Sequence, residues 1–336
     1  MTARARRLEV AVIQGGPSTE AEVSRASARG VAAALEEAGH HAVRLELDAF
    51  LGESLRTGGY EVAFPVAHGA VGEDGSLQGL LEVLDLPYVG SGVLASALAM
   101  HKRVARVLFE RAGLPVAKGV ALRRGEASAR EGAERARREV GARLVIKPSS
   151  HGSAIGVARL EGDAATGDVA RAIEAVWAID DFAVVEHFAR GREVTCGVLE
   201  VEAERPEALP PTEILSPSDP FYTYEARYAP GRSVHVCPAG LPPAVLSRVK
   251  EVAVAAHLAL GCRDLSRVDF IVGDEADADA VTLLEVNTLP GMTATSLFPE
   301  AAGVHGLPMA RWCDSLVLRA HARGPTRRLE ARPLPQ

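Results

Sequence analysis

Asp269, Glu285 and Asn287 are the side chains whose types and spacing best suit chemistry. Each interrupts an apolar run: Asp269 lies amid Val268, Phe270 and Ile271, and Glu285 and Asn287 flank Val286. The runs Val268 to Val272 and Val281 to Val286 stand on either side of an acidic, turn-rich connector, the pattern of a β-hairpin. Residues two apart on a strand share a face, so Glu285 and Asn287 point the same way, and antiparallel pairing can set Asp269 opposite them. A buried carboxylate bears a large desolvation cost unless it is paired or bound to a cation. Hard oxygen donors without His or Cys suit Mg²⁺, which keeps waters and shares its shell with substrate phosphates. For any single acid, a structural ion pair with an arginine is an equally good reading. The triplet, with Arg267 beside it, favours the cation site.

The elements that position such a site begin in α/β order. Leu8 to Ile13 reads as a buried parallel strand, and Gly15-Gly16-Pro17-Ser18-Thr19 turns the chain into a helix ending at Gly39. Its apolar stripe is Val23, Ala26, Gly30, Val31, Ala34 and Leu35, and Thr19 with Glu22 fits a capping box. Glu20, in the first turn, complements the helix dipole; it also lies at the carboxyl end of a strand, where open α/β sheets put ligands. Strands Val43 to Leu47 and Val62 to Ala67 follow, and the second of them delivers His68-Gly69 and a glycine-rich turn. That address raises His68 above an ordinary structural histidine. No G-x-G-x-x-G follows a strand here, so a dinucleotide is not implied.

A single helix from Leu94 to Ala112 carries Lys102, a strand runs from Val116 to Leu122, and a solvated helix runs from Glu126 to Val140. Leu144 to Val157 is a strand, a turn of small residues and a second strand. Such a turn lets backbone N–H groups wrap phosphate oxygens while Lys147 supplies a point charge; a plain hairpin with a surface lysine fits the same stretch. The G-K-[ST] of a P-loop is absent. Phe182 to Phe188 and Glu193 to Val198 are strands bearing Glu186 and Glu193. Between Ile214 and Val234 lies a long loop with Tyr222, Tyr224 and Tyr228, of the kind that is either a functional lid or disordered. Helices from Pro243 to Leu260 and from Leu307 to Arg319 follow.

At 336 residues, with 47% hydrophobic and 24% charged, the chain is globular and long enough for two or three cores. Its 37 basic and 44 acidic residues leave a net charge of −7, which gives nucleic-acid binding no electrostatic support. The four cysteines form no C-x-x-C unit and read as buried thiols in a reducing compartment. Neither a signal peptide nor a membrane span is legible, so a cytoplasmic protein is expected. The expected organisation is an N-terminal domain over 1–95, a central domain over 96–185, a C-terminal domain over 186–320 and a flexible tail over 321–336.

Four motifs together carry a resemblance. GGPSTEAEVS at 15–24, HGAVGEDGSLQG at 68–79, KPSSHGSAIGV at 147–157, and RVDF with LLEVNTLPGMTATSL within 267–297 resemble the D-alanine:D-alanine ligases of the ATP-grasp superfamily. SGVLASALAMHK at 91–102 and FYTYEARY at 221–228 fit the same family. The resemblance implies an ATP-grasp fold with an N-terminal doubly wound parallel-sheet domain. It implies ATP gripped by Lys102, Lys147 and the flap at Ser153, with Glu186, His187, Glu193 and Arg227 around the nucleoside. Two Mg²⁺ ions, with Mn²⁺ able to replace them, would sit on Asp269, Glu285 and Asn287. The first D-alanine would be held by Glu20 and His68, the second by Ser296 and Leu297, and Arg267 with the Gly291 N–H would stabilise the oxyanion. Tyr228, Ser153 and Glu20 would link the lid to the site. His187, Ala154, Arg227 and His151 depart from the usual pattern; the tyrosine at 228 fits D-alanine as second substrate. The implied protein is a homodimer serving peptidoglycan synthesis. A ligase for another acceptor, such as D-serine or D-lactate, and a non-catalytic ATP-binding relative are the competing readings.

Overall fold

The computed structural model describes residues 6–201, 205–216, 233–273 and 280–325. Strands β1 (Glu9–Gln14), β2 (His41–Glu46) and β3 (Val62–Pro65) form a parallel sheet in the order β2-β1-β3. Alternation sends Leu8, Val10 and Val12 to one face and Ala11 and Ile13 to the other. Helices α1 (Ala21–Glu37) and α10 (Met309–Arg323) cover the first face, with Trp312, Leu316 and Val317 buried in that core. Helices α2 (Leu51–Thr57) and α3 (Ser76–Val83) cover the second through Leu51, Leu55, Leu77 and Leu81. The sheet is doubly wound, but one of its covering helices comes from the far end of the chain.

A second sheet is wholly antiparallel: β4 (Gly119–Arg123), β7 (Phe182–His187), β5 (Leu144–Pro148) and β6 (Ala158–Leu160), in the order β4-β7-β5-β6. Helices α6 (Ala129–Glu139) and α7 (Thr166–Trp177) pack on it. The third sheet runs β11 (Val234–Val236), β10 (Thr212–Leu215), β8 (Arg192–Leu199), β12 (Leu265–Val272), β13 (Val281–Asn287), with β9 (Glu207–Ala208) beside β8. Its core takes in α4 (Val93–Met100), α5 (Lys102–Arg111) and α8 (Pro243–Ala259). Helix α9 (Leu297–Val304) ties it to the first core, where Phe298 meets Trp312 edge to face at 5.8 Å.

Several expectations change. The helix foreseen over 94–112 is two helices, broken at His101, whose φ of −96° and ψ of 88° are not helical. His101 Nδ1 lies 2.7 Å from Ser149 Oγ, and the Lys102 N–H donates to Ser149 O at 2.8 Å, so the break fastens the chain to the root of the flap. Both helices belong to the third core, and residues 185 and 186 both lie inside β7, so the cores do not divide at 95/96 or 185/186. The strand foreseen from Val116 is also divided: Val116 bridges to Leu283 in the third sheet, and β4 begins only at Gly119.

The Thr19–Glu22 capping box does not form; Glu20 is the N-cap of α1, and Glu22 pairs with Arg25. The buried stripe of α1 runs through Ser24, Ser27, Ala28, Val31 and Leu35 rather than Val23 and Ala26. Ser24 can be buried because its Oγ accepts from the Gly15 N–H and donates to Val66 O, both at 2.8 Å. In α6 the charge run is real, but Ser128 and Glu131 form a capping box and Ala129, Ala133 and Ala136 are buried. The tail foreseen from 321 begins as helix: Arg323 forks onto Asp264 at 2.9 and 2.8 Å and donates to Tyr88 O at 2.9 Å. Cys196, Cys262 and Cys313 are buried free thiols, whereas Cys237 is partly exposed. Among the described residues no helix is long and apolar enough to cross a membrane. The aromatic loop with Tyr222, Tyr224, Arg227 and Tyr228 lies outside the described residues, as does most of the hairpin connector, 274–279.

Candidate active site

The β12–β13 register sets Asp269 opposite Glu285 and Arg267 opposite Asn287, with an irregularity just after Asp269. Directly opposed residues share a face, as do residues two apart, so all four side chains emerge together. Arg267 grips Asp269 as a fork, Nε to Oδ1 and Nη2 to Oδ2, each at 2.8 Å. Thr195 on β8 donates to Asp269 Oδ1 at 2.8 Å. Glu285 Oε2 lies 3.1 Å from Lys102 Nζ, and Asn287 Oδ1 accepts from the Leu289 N–H at 2.7 Å. The arginine pair and the oxygen triplet, weighed above as alternatives, therefore coexist on one face. Two carboxylates and an amide oxygen, with no imidazole or thiolate, form a donor set that fits a hard divalent cation. Among the described residues no group of three His, Cys, Asp or Glu side chains is arranged to hold a metal ion.

A cleft of about 140 Å³ separates the β5–β6 hairpin from the β12–β13 hairpin. Its walls are apolar where Val145, Val157, Ile271 and Leu284 face one another and charged at Lys102, Lys147, Glu186 and Glu193; His187 also lines it. Lys147 Nζ sits 2.7 Å from Glu186 Oε2, while Arg106 Nη1 reaches Glu186 Oε1 at 3.3 Å. Arg159 Nη2 meets Glu193 Oε1 at 3.3 Å. The flap crosses the cleft mouth: Lys102 Nζ donates to His151 O at 2.7 Å, and Ser153 and Ala154 hold φ of 50° and 57°. Two consecutive non-glycine residues in the left-handed region are strained, as segments that move around ligands often are. The root of the flap is pinned by Asp180, which accepts from the Ser150 N–H at 2.8 Å and the Phe182 N–H at 2.9 Å. Burial pushes the Asp180 carboxyl up, but those N–H groups outweigh it and hold the acid below its ordinary range.

A second cavity of about 40 Å³ adjoins the first and shares Lys102, Gly152 and Glu285 with it. Glu73, Ala99, Met100, Val286, Asn287 and Thr288 complete its lining. Beside it, Ser153 Oγ donates to Glu20 Oε1 at 2.6 Å, joining the flap to the N-terminal domain. Glu20 is itself placed by Ser18, whose Oγ accepts the Glu20 N–H at 3.0 Å. Gly69 has φ +78°, and a Cβ there would fall 2.5 Å from Ser18 Oγ, so glycine is required. His68 is buried between Ser27 Oγ and Glu73 Oε1, each at 3.3 Å from a ring nitrogen. Burial pushes the Glu73 carboxyl above its ordinary range against the pull of His68. Ser27 Oγ also accepts the Met292 N–H at 3.1 Å, bringing the loop of Gly291 against α1. Ser296 Oγ accepts from the Thr293 N–H at 3.0 Å, and Leu297, buried, begins α9.

The family model described as the D-ala D-ala ligase C-terminus matches residues 108–318. The chain belongs to the D-alanine–D-alanine ligase family. The corresponding N-terminus model matches residues 47–91. A D-alanine–D-alanine ligase of Desulforamulus reducens is 42% identical over 314 residues, spanning 92% of this chain and 97% of the relative. One of Acidiphilium cryptum is 44% identical over 317 residues, spanning 94% and 99%. Among solved structures, the ligase of Coxiella burnetii superposes with a TM-score of 0.78 at 27% identity, covering 94% of this chain and 96% of that one. The ligase of Bacillus anthracis complexed with ATP gives 0.77 at 27% identity, covering 94% and 98%.

Of the residues foreseen for this ligase's site, Asp269, Glu285, Asn287, Arg267 and Lys102 converge on one hairpin face. Lys147, Glu186, His187 and Glu193 line the cleft, while Glu20 and Ser153 meet at 2.6 Å. Tyr228 and Arg227 lie outside the described residues. The sequence reading passed over Ser27, Thr195, Arg106 and Arg159, each bonded to a foreseen residue, and gave Glu73 no role. Ser27 could have been found: it stands three residues after Ser24 on the same face as Ala28 and Val31. Arg106 follows Lys102 by four and so shares its helix face.

Proposed function

We infer that this ligase joins two molecules of D-alanine, driven by the conversion of ATP to ADP and phosphate, and supplies D-alanyl-D-alanine for peptidoglycan synthesis. The observation that carries the reading is the pair of adjoining cavities sharing Lys102, Gly152 and Glu285. A triphosphate lying in the larger one brings its terminal phosphate to a carboxylate held in the smaller. Lys102 and Lys147 supply charge to the phosphates, and Glu186, His187 and Glu193 border the nucleoside. Asp269, Glu285 and Asn287 would hold Mg²⁺, whose contribution is to neutralise and orient the phosphate oxygens.

Glu20 accepts the ammonium of the first D-alanine and holds its carboxylate towards the terminal phosphate. A carboxylate oxygen forms a bond to the γ-phosphorus as the bond to the bridging oxygen of ADP breaks, giving D-alanyl phosphate. Ser296 and the N-terminal turn of α9 at Leu297 receive the carboxylate of the second D-alanine, an arrangement helix N-termini favour. Its amine attacks the carbonyl carbon, and the oxyanion that develops is stabilised by Arg267 and the Gly291 N–H. Phosphate departs with the carbon–oxygen bonding pair and takes up the surplus proton of the attacking nitrogen, leaving the peptide bond. His68 orients the substrate carboxylates, and the Ser153–Glu20 bond draws the flap over the site and keeps water from the acyl phosphate. We place the enzyme in the cytoplasm as a homodimer, the arrangement its family resemblance implies.

The test is phosphate release with ATP, Mg²⁺ and D-alanine, followed by D-serine and D-lactate against limiting D-alanine, with products identified by mass. One dipeptide per phosphate with D-alanine alone supports the reading. Phosphate release only with another acceptor would replace the substrate, and nucleotide binding without any phosphate release would replace the activity.

A further inference from the structure

The loop that follows β13 leaves its own hairpin and docks on the N-terminal domain through Met292. The Met292 side chain, 1% exposed, joins the core that also holds Val31, Leu35 and Trp312. Its N–H donates to Ser27 Oγ at 3.1 Å. Its carbonyl oxygen comes so close to α1 that a Cβ at Gly30 would fall 2.9 Å from it, whereas ordinary contact begins at 3.4 Å. Ser27 and Gly30 are three residues apart and share one face of α1. One offers an acceptor and the other the absence of a side chain, and between them they grip the N–H and the carbonyl of a single residue. Ser27 is fully buried; since its Oγ accepts the Met292 N–H, its own hydrogen is left for His68 Nε2 at 3.3 Å.

The residue before Met292 is Gly291, which has no side chain by which to be held and the widest backbone freedom of any residue. The direction of its N–H is therefore set by its neighbours. Pro290 stiffens one side through its fixed φ, and on the other Met292 is fastened to α1. The same helix carries Glu20 at its N-cap, seven residues before Ser27 and so about 10 Å along the axis.

We propose that Ser27 and Gly30 are positioning residues that hold Met292 against α1 and thereby aim the Gly291 N–H at the oxyanion formed when the second D-alanine attacks. One rigid helix then sets both the group that receives the first ammonium and the donor that meets the same molecule's carbonyl. The proposal rests on the role given to Gly291 above. It assigns Ser27 and Gly30 no part in binding ATP or in the phosphoryl transfer that makes D-alanyl phosphate.

The two half-reactions can be separated with ATP carrying heavy oxygen in the bridge between its β- and γ-phosphorus atoms. Transfer of the γ-phosphoryl group to D-alanine, rotation of the β-phosphate of bound ADP and return of the phosphoryl group move the label out of the bridge. This exchange and dipeptide formation are measured at saturating Mg²⁺ and D-alanine in the wild type, Ser27→Ala, Gly30→Ala and the double variant. Gly30→Ala displaces Met292 by about half an ångström, and Ser27→Ala leaves its N–H without that partner; kcat is expected to fall about tenfold in each. The KM for ATP stays within about twofold of wild type, and exchange per turnover rises about tenfold, because D-alanyl phosphate forms as before and waits longer for the amine. A general loosening of the fold would instead lower exchange and turnover together. Gly30→Ala does not touch His68, and alanine is the better helix former, so its loss reports on the loop. The double variant loses less than the product of the two, since both act on one residue. Exchange that falls in step with turnover, a Gly30→Ala enzyme as fast as wild type, or fully additive losses would each overturn the proposal. A wild type that makes no dipeptide from D-alanine would instead remove the functional reading on which it rests.

Discussion

The two ends of the site are built on different electrostatic plans. At the nucleotide end every carboxylate is matched by a cation: Glu186 by Lys147 and Arg106, Glu285 by Lys102, Asp269 by Arg267, Glu193 by Arg159. At the end proposed for the amino acids, Glu20 accepts from the Ser153 hydroxyl and Glu73 lies against the His68 ring. The difference matches the ligands each end must take. A nucleotide with its cations brings both signs of charge, so it can exchange partners with preformed ion pairs. On the proposed reading the cations would pass to the phosphates and the carboxylates to the metal, without leaving a buried charge alone. On the proposed reading an amino acid brings its ammonium to Glu20 while the Ser153 hydroxyl stays on Oε1 as the tether of the flap.

Substitutions that unbalance a matched pair should therefore cost most. Asp269→Asn removes a cation ligand and strips Arg267 of its partner, and kcat should fall about a thousandfold with the KM for D-alanine little changed. Lys147→Ala should raise the KM for ATP about a hundredfold, since it removes a phosphate contact and loosens Glu186. At the other end the losses should be smaller and appear in the amino acid: Ser153→Ala should raise the KM for D-alanine about tenfold, one hydrogen bond to a charged group, with the KM for ATP near wild type. If Ser153→Ala instead disturbs ATP more than D-alanine, the division between the ends is wrong.

A node remote from both ends sharpens the comparison by affecting stability alone. Glu200 accepts from Arg319 and the Asp264 N–H at 3.2 Å and lies 3.2 Å from the buried His257. Burial pushes the Glu200 carboxyl up, but these partners outweigh it and hold it below the ordinary range. A lowered folded-state value means stabilisation that is fully present above the unfolded carboxyl's value, about 4.3, and is lost as pH falls through the folded one. Glu200→Gln should remove about 2 kcal/mol at neutral pH and flatten the acid limb of the denaturation profile while leaving turnover intact. The smallest effect belongs to the exposed pair Arg130 and Glu134, where Arg130→Ala should change stability by less than about 0.5 kcal/mol.

How much of this was legible in the sequence varied with the range of the interaction. The β12–β13 hairpin was readable because oxygen side chains stood in apolar runs, and its pairing follows from antiparallel geometry. The precise register was not, because β13 has one extra residue, Leu284, at the step from Asp269 to Phe270, while β12 pairs with β8 without a shift. The break at His101 escaped because no glycine or proline marks it; its cause is Ser149, 48 residues away. The burial of Ser24 and Ser27 escaped because their partners, Val66, His68 and Met292, come from other elements, and a hydroxyl with a partner inside behaves like a core residue. The N-terminal sheet was legible as strands and helices, but α10, which completes its core, is separated from it by most of the chain. Periodicity reads a helix and its face; it carries no address for the surface that face will meet.

The account's central claim is that the first D-alanine is activated through its own carboxylate oxygen, and a heavy-oxygen label tests it directly. D-alanine labelled in both carboxylate oxygens would be turned over with unlabelled ATP and water, and the phosphate and dipeptide weighed. The account predicts one labelled oxygen in each phosphate released and one in the new peptide carbonyl. Phosphate without label, with the oxygen lost from the first D-alanine recovered in water instead, would contradict it.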